Sequence, residues 1–182
     1  MVTPDKPKDI YTAYADCIST SLDDLEDNSN LYDDDNYYFL YDITGDGSPE
    51  LWIVISNSIT KIERGLTVYT YDKGHCKSIF ADGGVVYTDI GIGDKCVVCE
   101  SGVWGAGGGI DRKSILTYDG HKIIETFIKV TEEWEILDDP DGGYETKVTV
   151  DKTDEYLPIE VKSPKTAKLS ESYKLTNGSY FK

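Results

Sequence analysis

The sequence predicts a mainly β protein, with one N-terminal amphipathic helix followed by antiparallel, blade-like β-meanders stacked as a sandwich or as incomplete propeller-like sheets. Three observations lead there. Between breaks set by 17 Gly and 6 Pro, the 182 residues carry 14 Tyr and many Val, Ile and Thr, a composition suited to pleated, half-buried strands with frequent turns. Only residues 7–26 hold a helical period. The centre of the chain also repeats itself: Thr70-Tyr71-Asp72 with Gly74-His75 returns as Thr117-Tyr118-Asp119 with Gly120-His121, the tyrosines 47 positions apart.

Taken in order, Ile10, Tyr14, Ile18, Leu22 and Leu25 make one apolar stripe, the signature of a helix that packs on one face. Thr3, Asp5 and Pro7 supply its start signals. The acidic run Asp23–Asp35 follows as a polar linker. Residues 1–35 are thus expected to be a helix and linker packing on the body. Residues 36–182 form the antiparallel β domain, with two blade-like units at about 37–83 and 84–130 and a C-terminal hairpin region.

The first unit opens on YYFLYDITGDGSPELWIVIS, residues 37–56. Its strand–loop–strand pattern carries Asp42, Thr44, Asp46 and Glu50 at relative positions 1, 3, 5 and 9. That spacing suits a hard cation, because Ca²⁺ needs several oxygens converging from a short segment. An EF-hand is excluded: its loop needs a bidentate Glu at position 12 and flanking helices, whereas position 12 is Ile53 and both flanks favour strands. A metal-free acidic hairpin turn is the competing reading, since Asp-Gly is a turn signal by itself.

The segment Asp42–Ile53 resembles the calcium loop of FG-GAP (integrin-type) repeats, a strand–loop–strand element of β-propeller blades. It is also similar to single-copy loops in secreted and lipid-anchored bacterial proteins. The resemblance implies calcium held by the carboxylates of Asp42, Asp46 and Glu50, with a backbone carbonyl near Ser48. Thr44 stands where the pattern usually has Asn or Asp, which implies a weaker site.

A turn at Lys61–Gly65 and a hairpin through Asp72-Lys-Gly74 complete the first unit. The second unit echoes the ion loop in YTDIGIGDKCVVCES, residues 87–101, and keeps Asp89 and Asp94 but nothing acidic to match Glu50. Fewer than about four blades cannot close a propeller, so the units are expected to stack. Glu100–Ile110 holds five Gly around Trp104 and reads as a loop. Trp104 is a candidate ligand-stacking residue there, unless it folds back onto the sheet. Strands after residue 126 turn at Asp138–Gly143. The polar tail from Asp151 ends in an expected hairpin, SYKLTNGSYFK, turned by Asn177-Gly178.

The formal charge of −16 sets the protein against nucleic acid and anionic lipid, whose phosphates it repels. It favours a cation or a basic protein. Cys96-Val-Val-Cys99 lies in a β-rich run, where residues three apart point to opposite faces and cannot easily share one ion. With Cys17 and Cys76, buried thiols or one disulfide are expected. No apolar run reaches membrane-spanning length, and residues 1–9 lack the apolar core of a signal peptide. Extracellular calcium would fill a weak loop that cytosolic calcium would leave empty, so the expected location is extracellular or cell-surface, the alternative cytoplasmic. His75 and His121 each follow a hairpin Gly and pair with no nucleophile motif. The functional expectation is a non-enzymatic extracellular β-domain with one structural Ca²⁺, presenting a surface to a glycan or protein. The alternative is an acidic inhibitor or immunity-type protein that covers a basic partner.

Overall fold

The structure, a computed structural model, describes residues 9–26, 36–55, 65–136, 143–156 and 158–182, with side chains described from 9 to 22 in the first segment. Helix α1 spans Ile10–Glu26 and so runs into the acidic stretch. It starts later than the pattern at residue 7 predicts, because Asp9 caps it. The Asp9 carboxylate accepts from the Tyr11 and Thr12 amides at 3.1 and 3.0 Å, satisfying donors that have no partner within the helix. Thr3, Asp5, Pro7 and the linker 27–35 lie outside the described residues, as do the turns at 56–64 and 137–142.

The chain then folds into two open antiparallel sheets. β1 (Tyr37–Tyr41), β2 (Glu50–Ile55), β3 (Gly65–Asp72) and β4 (His75–Gly83) form a meander in the first. β5 (Val86–Ile92), β6 (Cys96–Gly105), β7 (Gly108–Tyr118), β8 (Ile123–Glu135) and β9 (Tyr144–Asp151) form the second in the same consecutive order. The repeated Thr-Tyr-Asp strings end β3 and lie at the end of β7, each before a turn. The echo of the ion loop does not extend to its length. Residues 42–49 join β1 to β2, whereas only 93–95 join β5 to β6, and Asp89 is inside β5 opposite Glu100.

Strand alternation distributes the core over three layers. β2 sends Trp52 and Val54 toward the second sheet, and Leu51 and Ile53 toward α1. Buried on both faces, it reads as the nearly continuous apolar run ELWIVI. Between the sheets, Phe39 stacks on Trp52 with ring centroids 5.3 Å apart, and Val97, Cys99 and Leu116 meet them from the other side. On β6, Cys96 and Val98 face outward into a smaller cluster under Tyr156 and Ile159. The two thiols of Cys-Val-Val-Cys therefore lie on opposite faces.

The tail corrects two expectations. After α2 (Thr153–Tyr156), β10 (Ala167–Lys168) adds an edge strand beside β1. The expected last hairpin is helical instead: a 3-10 turn at Leu169–Glu171, α3 (Tyr173–Thr176) and a 3-10 turn at Ser179–Phe181. Asn-Gly serves either purpose, because a helix end and a tight hairpin both want a left-handed residue, and Gly178 has φ 73°. Burial decides between them. Leu169, Leu175 and Tyr180 pack with Tyr14 and Ile18 of α1 against the first sheet. The glycine-rich stretch around Trp104 is likewise no loop but the end of the β6–β7 hairpin, turned at 106–107.

Ile18 is fully buried at the centre of the helix–sheet cluster. Ile18→Ala should cost about 2–5 kcal/mol, read as a lower urea midpoint at unchanged slope.

Candidate functional site

The β1–β2 loop is closed by register. Tyr41 pairs with Glu50, so Asp42 leaves β1 beside the first residue of β2. Glu50 is 1% exposed. Its Oε2 accepts from the Ile43 amide at 3.0 Å. Thr44 Oγ1 lies 3.1 Å from Glu50 Oε1 and 3.3 Å from Asp42 Oδ1, bridging the two carboxylates. Asp42 in turn accepts the Gly45 and Gly47 amides at 2.7 and 2.9 Å. The loop can wrap this tightly because Gly45 and Gly47 take φ of 75° and 91°, a region open to residues without Cβ. Asp46 Oδ1 accepts the Ser48 amide at 2.7 Å, and Ser48 itself is exposed.

Asp42, Asp46 and Glu50 each offer an oxygen, and the three atoms lie within 4.8 Å of one another. Calcium–oxygen bonds of roughly 2.3–2.6 Å allow two ligands of one ion to stand up to about 5 Å apart, so this group could hold a metal ion. Helix α1 fixes the loop from behind, where the Tyr14 hydroxyl donates to the Pro49 carbonyl at 2.9 Å. Burial pushes the Glu50 carboxyl above the usual carboxylate range, against the Ile43 amide and Thr44, which pull it down. The Asp42 charge adds to the rise. Tyr14 is raised too, by burial first and then by the Glu50 charge. Among the described residues, no Lys or Arg forms an ion pair with the three carboxylates. The site concentrates negative charge around a buried carboxylate and, within that set, leaves it uncompensated.

Trp104 lies at the far end of the β6–β7 hairpin, half-exposed. The indole is folded onto the sheet, since a Cβ at Gly102 or Gly109 would stand 2.3 Å from its ring atoms. Trp104 also borders a cleft of about 290 Å³ that takes in Tyr144, Asp111 and Glu133. Register explains the grouping: Trp104 is opposite Gly109, Gly109 opposite Glu133, and Tyr144 enters the same face one pair further on. Tyr144, Asp111 and Glu133 carry no sequence motif of their own, and only strand pairing brings them to Trp104. Tyr14 was legible as part of the helix stripe but not as the support of the β1–β2 loop.

No family model matches the chain, and no curated protein or solved structure shows significant similarity to it. Among the described residues, no helix is long and apolar enough to cross a membrane.

In a metal-free protein, the buried Glu50 charge works against folding. Glu50→Gln keeps the shape and removes the charge, so with chelator present the variant should melt a few degrees above wild type. Differential scanning calorimetry checks the sign.

Proposed function

We propose that this is a non-enzymatic, extracellular β-domain whose β1–β2 loop binds one structural Ca²⁺ and which presents the Trp104 face to a glycan or protein at a cell surface. The observation that carries the reading is the convergence of Asp42, Asp46 and the buried Glu50 within 4.8 Å. A turn alone gains nothing from bringing three carboxylates together. An ion between them offsets their repulsion and the desolvation of Glu50 at once. Thr44 completes the inner face of the loop, with a carbonyl near Ser48 as a further ligand. Calcium suits these all-oxygen ligands and the irregular spacing, whereas Mg²⁺ demands stricter octahedral geometry and keeps more of its water. The ion's role in this reading is structural: it fixes the hairpin at the centre of the first sheet and, through Pro49 and Tyr14, the seat of α1.

For the surface, an aromatic ring supported beneath and open above, with Asp111 and Glu133 beside it, provides a stacking plane with hydrogen-bond acceptors. Pyranose rings use that combination, and the net charge of −16 disfavours anionic polymers. The same charge favours a second reading, an acidic inhibitor of a basic protein, which predicts tight and salt-sensitive binding to a cationic partner.

Thermal melts in calcium, magnesium and chelator test the metal. Calcium at about a hundred times its Kd should add about 2.7 kcal/mol, a rise of roughly 5–10 °C for a chain of this size. The rise should be absent from Asp46→Ala. Identical melts in all three conditions would reduce the loop to a turn. For the surface, an array of neutral glycans should show binding that Trp104→Ala abolishes while its melting temperature stays within a few degrees of wild type. Retention of binding by the variant would exclude this face.

A further inference from the structure

The ion loop and the Trp104 face leave one pair of reactive groups unused. Cys17 on α1 and Cys76 on β4 stand 59 positions apart in sequence, yet helix–sheet packing brings both side chains to the edge of one core cluster. The Cys76 S–H donates to the Ala13 carbonyl at 3.3 Å, one helical turn before Cys17, which sets the Cys76 sulfur beside the turn that carries Cys17. Both side chains are half-buried. They open onto a surface cleft of about 340 Å³ shared with Asp16, Tyr69 and His75, so a small reagent can reach them. Cys96 and Cys99, by contrast, are buried and separated by the thickness of their own strand.

We propose that Cys17 and Cys76 are a redox pair that closes into a disulfide, clipping α1 to the edge strand β4, with a low-molecular-weight disulfide as the oxidant. The exchange balances in two steps. The Cys76 thiol loses its proton to solvent, and its thiolate attacks one sulfur of the oxidant, forming a mixed disulfide and expelling one thiolate. Cys17 then loses its proton and attacks Cys76 Sγ, breaking the mixed bond and expelling the second thiolate. The protein gives up two protons and two electrons, and the oxidant, which takes them up, leaves as two thiols. The exchange balances equally with Cys17 attacking first, since both side chains border the same cleft.

The consequence is mechanical. β4 is an edge of the first sheet, and α1 also supports the ion loop through Tyr14. Closing the pair ties the helix covalently to the sheet beneath it and restricts the unfolded chain over a long loop, where such constraints act most strongly.

Incubation of the full-length reduced chain with oxidised glutathione, followed by peptide mapping without reductant, tests the proposal. The expected product is one cross-link between the Cys17 and Cys76 peptides at a mass two hydrogens lower, with Cys96 and Cys99 alkylated only after unfolding. Its melting temperature should rise by roughly 5–15 °C, revert with dithiothreitol, and show no such response in Cys17→Ser or Cys76→Ser. Stable glutathione adducts at either position without a cross-link, no reaction at both, or a cross-link to Cys96 or Cys99 would each overturn it.

Discussion

A buried carboxylate at the start of a central strand sets the terms for the rest of this molecule. Glu50 is 1% exposed and belongs to β2, which packs on α1 with one face and on the second sheet with the other. An ionised group there is costly unless its oxygens are engaged. The Ile43 amide and Thr44 engage them from the loop, Asp42 gathers the loop amides around itself, and Pro49 is held by Tyr14 of the helix. The loop is thus a joint between helix, hairpin and sheet, and its electrostatics act directly on the packing of the first layer.

The second sheet shows what the same meander does without that joint. Its first hairpin closes through residues 93–95, with no room for converging ligands, and Asp89 lies within β5 opposite Glu100. This unit lengthens instead: β7 and β8 run to 11 and 13 residues, against 8 and 9 for β3 and β4. The extension carries Trp104 beyond the shared core. Glycine at 102 and 109 lets the indole lie against the backbone, which keeps a large apolar side chain flat and presentable where no second layer covers it.

The fold class was largely legible from local pattern. The helix stripe, the Thr-Tyr-Asp hairpins and the apolar β2 run each obey a periodicity that burial enforces on both sides. The convergence of the loop side chains was legible for the same reason, since Asp42, Thr44, Asp46 and Glu50 are close in sequence and one turn of chain brings them together. What escaped depends on partners distant in sequence. Asn177-Gly178 is compatible with hairpin or helix end, and only the buried Leu175 and Tyr180 under α1 choose. β10 is two residues long and exists because β1 has a free edge. The glycines around Trp104 read as a loop, yet cross-strand pairing makes them a hairpin. Tyr144 and Glu133 reach Trp104, and Cys17 reaches Cys76, only through tertiary pairing. Asp9 was hidden by two earlier residues with equal capping chemistry.

The most direct test of the account is calorimetric titration of Ca²⁺ into chelator-treated wild type and Glu50→Gln. A single site is expected, with Kd on the order of 10⁻⁴–10⁻³ M, the range of extracellular modules, and with strongly weakened binding once the buried carboxylate becomes an amide. No heat of binding in wild type, or equal affinity in the variant, would contradict it.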